Sequence, residues 1–389
     1  MNLGKIIGRS ALVLSAVGLM TLGEFSLAQA AGWQPTLKVG LLQGLKTVTL
    51  SVNQPCFLTV GKKKLAVTAG KDLVITRQGG NFQAQGKSLP GDKLELVSQD
   101  EKKAAALITK INGQSYRGGV ELAAKGQGFT LINLALTEEY LKGVLPKEMP
   151  PSWPAEALKT QAVAARTFAL KNRGRHAAEG FDLCPTTHCQ VYEGLGAEYP
   201  QSDKAASDTK GEVLVYKDAL IEATFHTDSG GMTENSEDVW GSFSPYLRAA
   251  EEVETNTHPW EKTIGLNEFG QKLAAKGLKV GSVKKINLSK LRVGHKDTDR
   301  SASGRVKELT VVGGSGTAKV SGNDMRSLFG LKSTLFDIEL KGDKVIIKGY
   351  GWGHGLGMSQ WGAKAYAAKK NYREILAHYY EGTNLKELY

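Results

Sequence analysis

The sequence lacks the features that define several protein classes. It has only three cysteines in 389 residues, no internal repeat and no low-complexity tract. After the first thirty residues, no uncharged apolar run is long enough to cross a bilayer. Its 23% charged and 41% hydrophobic residues exclude a disordered chain. The length exceeds what one hydrophobic core usually serves, so we expect two or more subdomains.

The first thirty residues have the form of a signal peptide. Lys5 and Arg9 precede an apolar run over 11–22, and Ala28-Gln-Ala30 is a small-x-small cleavage pattern. The uncharged run after Arg9 is short for a membrane span, which takes about 20 residues. We therefore expect export with cleavage after Ala30 into an extracytoplasmic space, the cell wall or periplasm. A retained N-terminal anchor is the alternative.

The chain is basic, with a net charge of +11, or +10 without the first thirty residues. Nucleic acid is the usual partner of a basic protein, but an exported protein meets little of it, so we expect no nucleic-acid partner. Anionic wall polymers, a membrane surface or the carboxylates of peptidoglycan suit this charge better. The same charge also fits a protein that only needs to stay soluble.

The hydrophobic pattern predicts an α+β fold. Residues 31–105 should form a β-rich N-terminal region of short strands between glycine turns, without clustered histidines or carboxylates. Residues 106–389 should form a helix-containing core that carries the candidate site. In this core, the spacing predicts a long helix over 154–173 that begins with Pro154. It also predicts a mixed α/β insertion around 256–345.

One carboxylate, Glu148, stands just before the long helix in a stretch interrupted by Pro146 and Pro150. A short helix over 138–144 should lead the chain into this corner. Walls made by the prolines and Trp153 would exclude water and raise the pKa of Glu148, the direction that a general acid requires. The ordinary alternative is a solvated loop carboxylate.

A polar loop over 226–241 follows a predicted strand and contains Ser229-Gly230-Gly231. Such a loop can hydrogen-bond a polar polymer. His226 lies close enough in sequence to Ser229 to suggest a serine nucleophile. However, the G-x-S-x-G elbow of serine hydrolases is absent, so this chemistry is disfavoured.

The segment 349–357 alternates glycine with Tyr350, Trp352, His354 and Leu356. In an extended strand, this period of two places the four side chains on one face and lets a backbone or ligand approach the other closely. Tyr350 and Trp352 could stack on sugar rings. The alternative is a glycine-rich corner with His354 in the core. No Lys-Ser/Thr follows, which excludes a nucleotide-binding loop.

Two histidines and two cysteines, His176, Cys184, His188 and Cys189, lie within fourteen residues. Four nitrogen and sulfur ligands satisfy a tetrahedral structural zinc site. A Cys184–Cys189 disulfide is the rival in an oxidising compartment, and spacing does not decide between the two. In either case the cluster should pin a loop without taking part in catalysis. The third cysteine, Cys56, should be a buried thiol.

The Glu148 stretch, the Ser229 loop and the glycine-rich segment, in this order, resemble the catalytic domain of the stage II sporulation protein D family, which includes the amidase enhancers. The resemblance runs from about Ile111 to the C-terminus. It implies a lytic transglycosylase that cleaves the MurNAc-GlcNAc bond of peptidoglycan strands stripped of stem peptides, with 1,6-anhydroMurNAc formation. The role would lie in cell-wall remodelling or sporulation. The alternative is a non-catalytic, peptidoglycan-binding enhancer of an N-acetylmuramoyl-L-alanine amidase.

The resemblance also implies roles for individual residues. Glu148 would be the catalytic acid and base, no cofactor would be needed for catalysis, and the Cys/His cluster would hold zinc. A cell-wall amidase would be the functional partner. The candidate substrate-binding residues are Arg166, Ser229, Gly230, Gly231, Tyr350, Trp352, His354, Ser359 and Gln360.

Two features leave the chemistry open. Asp228 and Met232 stand where related chains commonly have Ser or Thr and an Arg or other polar residue, so the substrate preference of that loop is not defined. A second carboxylate within about 5 to 10 Å of Glu148 would make ordinary hydrolysis possible. The candidates for it are Glu156, Glu237 and Asp238.

Overall fold

The computed structural model describes residues 34–253 and 257–389. The predicted signal peptide lies outside these residues. Helices and several β-sheets occur along the same chain, which confirms the predicted α+β class. Within the described residues, no helix is both long and apolar enough to cross a membrane.

Two six-stranded antiparallel sheets make up an N-terminal β unit. Buried residues alternate with outward-facing ones along most strands, and the buried ones form one continuous core. The strands are β1 (Thr36–Leu45), β2 (Thr47–Val52), β3 (Cys56–Val60), β4 (Lys63–Val67), β5 (Leu73–Gln78), β6 (Asn81–Ala84), β7 (Lys87–Leu89), β8 (Lys93–Ser98), β9 (Ile108–Ile111), β10 (Gln114–Arg117), β11 (Gly119–Lys125) and β12 (Gly128–Leu136).

The β unit continues past the predicted boundary at residue 105. Its sheets have the strand orders β1-β12-β11-β8-β3-β4 and β10-β9-β2-β5-β6-β7. Strands on both sides of residue 105 therefore pair, as β12 does with β1 and β11 with β8. The hydrophobic pattern locates strands but does not identify partners that are distant in sequence. Cys56 is a buried free thiol in this unit, as predicted.

Three helices follow: α1 (Thr137–Glu148), α2 (Ala155–Lys171) and α3 (Pro200–Asp208). The long helix predicted over 154–173 is confirmed as α2. Its alanines beyond the first residue, Ala155, are buried and allow close packing against α1 and α3.

The helix expected to end at residue 144 instead runs on to Glu148. Pro146 sits in its last turn, where a missing N–H removes only one backbone hydrogen bond. The Met149 N–H closes the helix by donating to the Leu145 carbonyl at 2.9 Å. Glu148 is therefore the last residue of a helix and not part of a proline loop.

A mixed α/β insertion follows, as predicted, and has its own hydrophobic core. It contains two three-stranded antiparallel sheets. The elements from β13 to the end of the insertion are β13 (Glu212–Tyr216), β14 (Ala219–Leu220), β15 (Phe225–His226), α4 (Ser236–Trp240), β16 (Trp260–Gly265), α5 (Leu266–Ala275), β17 (Val283–Asn287), β18 (Glu308–Gly313), β19 (Gly316–Ser321), α6 (Gly322–Phe329), β20 (Phe336–Lys341) and β21 (Lys344–Gly349).

The C-terminal segment returns to the helical core. It consists of β22 (Met358–Ser359), α7 (Gln360–Tyr366), α8 (Tyr372–Tyr379) and β23 (Asn384–Glu387). β22 pairs in parallel with β15, and β23 pairs antiparallel with β13. The first pairing joins the polar loop to the glycine-rich segment, which are about 130 residues apart in sequence.

Arg166 fastens α2 to α1 by a buried ion pair. Its Nε and Nη2 each donate to one carboxylate oxygen of Glu138 at 2.8 Å. The remaining donors reach the carbonyls of Ala206 and Glu212, and the side chain has no exposed surface. This bidentate geometry gives Arg166 a structural explanation, and its guanidinium does not reach solvent.

We predict that Arg166→Met lowers the free energy of unfolding by about 3 to 5 kcal/mol, because it leaves the Glu138 carboxylate buried without its cation. Urea unfolding followed by circular dichroism measures the loss. The matched control is Lys204→Met, which removes an exposed partner of Asp208 and should cost less than about 1 kcal/mol. Equal losses in the two variants would contradict the assignment.

Candidate functional site

A cleft of about 570 Å³ opens beside Glu148 at the C-terminal end of α1. Parts of the chain that are distant in sequence form its walls: α1, α2, the Cys/His loop, the segment 222–227, and the glycine-rich segment. We call this space the Glu148 cleft. Its lining includes Glu148, Phe168, Arg175, His188, Cys189, Glu222, Phe225, His226, Trp240, Arg326, Trp352, His354 and Gln360.

Burial raises the pKa of Glu148 above the ordinary value of a glutamic acid. The Val191 N–H donates to its Oε1 at 3.1 Å and partly opposes this effect by stabilising the carboxylate. The negative end of the α1 dipole, where Glu148 sits, also disfavours ionisation. The carboxyl group is thus half-buried, oriented by one backbone donor, and held protonated to a higher pH than a solvated one.

Trp153 and the prolines do not provide this burial. The Trp153 ring packs against Trp361 with centroids 4.9 Å apart, beside Met149, and is not part of the cleft lining. The aromatic side chains that line the cleft are instead Phe168, Phe225, Trp240 and Trp352. The expected walls were wrong because they were taken from neighbours in sequence, whereas the actual ones come from other elements.

The four predicted ligands His176, Cys184, His188 and Cys189 converge, with their ligand atoms all within 4.8 Å of one another. The thiols are free, so the alternative disulfide is not formed. Cys189 Sγ lies 3.4 Å from His176 Nε2, and His188 Nδ1 lies 3.6 Å from each Sγ. Glu179 contacts His176 Nδ1 at 2.6 Å, which turns Nε2 toward the cluster.

This donor set fits a tetrahedral metal ion. Zn–S bonds of about 2.3 Å and Zn–N bonds of about 2.0–2.1 Å place sulfur and nitrogen ligands about 3.5 Å apart in a tetrahedron. The observed sulfur-to-nitrogen distances of 3.4 to 3.6 Å agree with that spacing. Four protein ligands leave a four-coordinate ion no open position, which is typical of a structural site.

The chain leaving the cluster is tied directly to α1. Gln190 accepts a hydrogen bond from the Tyr140 hydroxyl at 3.1 Å, and the next residue, Val191, donates to Glu148. His188 and Cys189 also line the Glu148 cleft. The residues that contact Tyr140 and orient the candidate acid therefore follow directly after the last residue of the cluster.

The glycine-rich segment is not the extended strand that its period of two predicts. Gly349 ends strand β21, but the next four glycines have positive φ angles, which prevent a flat strand. Close approach of another backbone is nevertheless confirmed. A Cβ at Gly353 would lie 2.6 Å from His226 Cβ, and one at Gly357 would overlap the Thr224 carbonyl oxygen. The φ angles are +69° at Gly351, +120° at Gly353, +90° at Gly355 and +66° at Gly357.

Three of the candidate substrate-binding residues, Trp352, His354 and Gln360, line the Glu148 cleft. The Trp352 side chain is 50% exposed and the Lys332 ammonium lies 4.9 Å from its ring centroid. His354 Nδ1 accepts from the Leu356 N–H at 2.9 Å. Half of the Trp352 surface is therefore open to a ligand, whereas His354 is held by the backbone.

Ser229 and Ser359 line a second cavity of about 420 Å³, which we call the Glu252 cavity. The Ser229 hydroxyl donates to Glu252 Oε1 at 3.0 Å, and burial raises the pKa of Glu252 to about 7. His226 instead directs Nδ1 to the Leu356 carbonyl. Ser229 and His226 therefore do not form a nucleophile–base pair.

The remaining candidate substrate-binding residues, Gly230, Gly231 and Tyr350, do not line the Glu148 cleft. Gly230 and Gly231 form a tight turn with φ angles of +81° and +134°. The Asp228 carboxylate caps this turn by accepting from the Gly230 N–H at 2.6 Å and also bonds His258 Nδ1. Tyr350 lies outside the lining of both cavities. The unusual Asp228 is thus explained by local hydrogen bonds.

Sequence reasoning missed several residues of the Glu148 cleft. His226 lies in the short strand β15, and Glu222 lies just before this strand. The partner strand of β15 is distant in sequence. Trp240 belonged to the polar loop but was not selected. Arg326 comes from α6 in the insertion, where no local sequence signal points to the site.

Comparison with known proteins agrees with these motifs. A family model described as "Stage II sporulation protein" matches residues 125–216, and a second, described as a domain of unknown function (DUF8618), matches residues 233–357. Stage II sporulation protein D of Bacillus amyloliquefaciens is 34% identical over 275 residues, covering 64% of this chain and 74% of that protein. The chain belongs to the stage II sporulation protein D family.

Two further relatives show how far the family likeness extends. An uncharacterized protein of Brachyspira hyodysenteriae is 34% identical over 282 residues, which cover 71% of this chain and 73% of that protein. The amidase enhancer of Bacillus subtilis is 33% identical over 291 residues, covering 63% of this chain and 40% of that protein. The family model includes Glu148 and the Cys/His loop, whereas most of the β unit precedes it.

We predict that Gly353→Ala lowers the melting temperature, because an added Cβ meets His226 and the backbone angle disfavours any L side chain. The expected cost exceeds about 1 kcal/mol. Gly196→Ala is the matched control, since Gly196 has no neighbour within 4 Å of the added atom. Differential scanning calorimetry compares the two, and an unchanged transition for Gly353→Ala would refute the close packing.

Proposed function

We propose that this protein is a lytic transglycosylase that cleaves the MurNAc-GlcNAc bond of peptidoglycan glycan strands. The observation that carries the proposal is the half-buried Glu148 carboxyl, whose pKa is raised by burial and which faces a cleft large enough for sugar residues. Family membership and the names of the relatives support cell-wall remodelling or sporulation as the setting.

In the proposed reaction, protonated Glu148 donates its proton to the glycosidic oxygen, and the bond from that oxygen to the muramic C1 breaks. The 6-hydroxyl of the same muramic residue forms a new bond to C1. The Glu148 carboxylate then takes the proton of that hydroxyl. The products are a 1,6-anhydroMurNAc end and a free GlcNAc hydroxyl, no water is consumed, and Glu148 regains its proton.

The three carboxylates considered as hydrolytic partners do not line the Glu148 cleft. Glu156 binds Lys159 and the Tyr372 N–H, and the Arg248 guanidinium lowers the pKa of Glu237 to about 2. Asp238 pairs with Lys307. Glu222 does line the cleft, with Asn172 donating to it at 2.9 Å. Hydrolysis assisted by Glu222 is therefore the enzymatic alternative that needs testing.

A second candidate function is a non-catalytic peptidoglycan-binding enhancer of a cell-wall amidase. The name of the Bacillus subtilis relative favours it. An enhancer and an enzyme would share the glycan-binding cleft, so binding does not separate them. They differ in whether Glu148 acts chemically.

The surroundings of the site complete the proposal. We propose that the Cys/His cluster holds a structural zinc ion and that no cofactor enters the reaction. Trp352, with half of its surface open, would stack on a sugar ring. Denuded glycan, supplied by a partner amidase, would be the preferred substrate, and the signal sequence would direct the protein to the extracytoplasmic side.

We predict that Glu148→Gln abolishes release of anhydro-muropeptides from amidase-treated sacculi, because glutamine can neither donate nor take the proton. Chromatography with mass spectrometry of the products measures this. For the active protein, kcat/KM should fall as pH rises through the raised pKa of Glu148, since the acid form is required.

Glu222→Gln is the matched control, because it removes the other carboxylate of the cleft while keeping its shape. A lytic transglycosylase should retain most anhydro product in this variant. If Glu222→Gln is as inactive as Glu148→Gln and the wild type releases reducing muramic ends, the enzyme is a hydrolase. If the wild type releases no glycan product at all, the enhancer function is favoured.

Native mass spectrometry should find a single zinc ion bound, with Cys184 and Cys189 protected from alkylation until a chelator is added. Buried Cys56 should stay unreactive in the native protein under both conditions. A mass lower by two hydrogens that reductant restores would instead indicate a disulfide and overturn the zinc proposal.

A further inference from the structure

One cation on the wall of the Glu148 cleft has no partner within the described residues. Arg326, on α6, lines this cleft and is partly buried. Among the described residues, its guanidinium forms no ion pair and no hydrogen bond. Its nitrogens keep accessible surface, unlike Nε and Nη1 of Arg305, which are unpaired but sealed from solvent. A ligand in the cleft can therefore reach the Arg326 charge.

The packing of α6 fixes the position of Arg326. Met325 and Phe329, one helical turn apart, are buried in the core of the α/β insertion, and Arg326 lies on the adjacent face of the helix. Just beyond α6, the Lys332 carbonyl accepts a hydrogen bond from the Gly353 N–H at 3.0 Å. The end of the helix is thereby tied to the glycine-rich segment, which forms part of the same cleft.

The carboxyl groups around Arg326 do not neutralise it. Asp324, on the same helix, lies 3.2 Å from the Lys276 ammonium. In the cleft, Glu222 already accepts a side-chain amide hydrogen bond, and burial favours the uncharged form of Glu148 by raising its pKa. The protein therefore leaves one positive charge of the cleft without a counter-ion of its own.

The influence of this charge on the cleft histidines supports its placement. Burial lowers the pKa of His226 and of His354, and the positive charge of Arg326 adds to the effect on both. Burial also lowers the pKa of Arg326 itself. A cation that has lost part of its water without gaining a counter-ion is unfavourable, and an anionic ligand would remove that penalty.

Denuded glycan carries a suitable anion. In a peptide-bearing strand, an amide bond joins the lactyl group of the muramic residue to the stem peptide. An N-acetylmuramoyl-L-alanine amidase hydrolyses this amide and leaves a free lactyl carboxylate. The planar guanidinium of an arginine matches a carboxylate with two parallel N–H···O bonds. A stripped strand thus offers a group that Arg326 can bind and that an intact strand does not present at this position.

We propose that Arg326 binds the free lactyl carboxylate of a muramic residue in the Glu148 cleft and so selects strands that an amidase has already stripped. Arg326 is then a specificity-determining residue, and proton transfer stays with Glu148. Hydrolysis of the lactyl amide must precede this binding step. The glycan as ligand class rests on the proposed function, but the contact concerns binding and does not require turnover.

The test uses the full chain with Glu148→Gln as the parent, so that glycan binds without reaction. Calorimetry compares soluble GlcNAc-MurNAc oligomers that have free lactyl carboxylates with the same oligomers converted to lactyl methylamides. The parent should bind the free form about 10- to 100-fold more tightly, the range expected for hydrogen bonds to a charged group. Arg326→Met keeps an apolar stem without the charge and should bind both forms about equally.

Arg292→Met is the matched control. Arg292 belongs to the same insertion, its side chain is 59% exposed, and it lies outside the cleft lining. The same change in net charge at this position should leave the preference for the free form intact. The methylamide form serves as the control for folding, because a misfolded variant would lose affinity for both forms.

A third ligand separates two sources of carboxylate. Peptide-bearing oligomers have carboxylates on the stem peptide, while their lactyl groups are amides. The parent should bind them as weakly as the methylamide form. Tight binding that disappears in Arg326→Met would assign Arg326 to the peptide and overturn the proposal.

Equal affinity of the parent for the free and methylamide forms also overturns the proposal, as does an unchanged preference in Arg326→Met, an equal loss of affinity for both forms in that variant, or absence of binding of either form by the parent. The proposed reaction is tested separately. If the preference depends on Arg326 but the wild type forms no anhydro product, the binding inference stands and the transglycosylase proposal fails.

Discussion

The hydrogen bond from the Val191 N–H to Glu148 joins the two parts of the candidate site on which the chemistry depends. Glu148 ends α1, while Val191 lies two residues after Cys189, the last residue of the Cys/His cluster. Neither element alone would define the direction of the carboxyl group. With the loop fixed, the acid is oriented by one donor and half-buried, and burial raises its pKa. A proposed metal ion at the cluster would thus act on the acid only through the position of this loop.

The opposite wall of the cleft depends on a different constraint, the contact between the glycine-rich segment and the segment 224–230. The parallel pairing of β15 with β22 and the left-handed glycines bring these two backbones together. His226 Nδ1 lies 3.1 Å from the Leu356 carbonyl oxygen across this contact, and the Leu356 N–H donates to His354 Nδ1 within the glycine-rich segment. Backbone hydrogen bonds therefore hold both rings in this wall.

The sequence predicted those features of the fold and the site that depend on the local pattern of residues. The α2 helix, the α/β insertion, the β-rich start and the four converging ligands follow from spacing and residue type. It did not predict the features that depend on contacts between residues far apart in the chain. The helix through Pro146 is supported by tertiary packing that a proline rule does not include. Arg166 belongs to a buried pair with Glu138, and Ser229 to the Glu252 cavity. The glycine alternation predicted close approach but not the left-handed angles, and His226 was considered only beside Ser229.

The central claim is that the 6-hydroxyl of the substrate, and not water, attacks the muramic C1 while Glu148 transfers the proton. The most direct measurement is digestion of denuded glycan in water labelled with heavy oxygen, followed by mass spectrometry of the new muramic ends. Intramolecular attack predicts ends of anhydro mass without the label. Reducing muramic ends that carry one labelled oxygen from the solvent would contradict the account and identify a hydrolase.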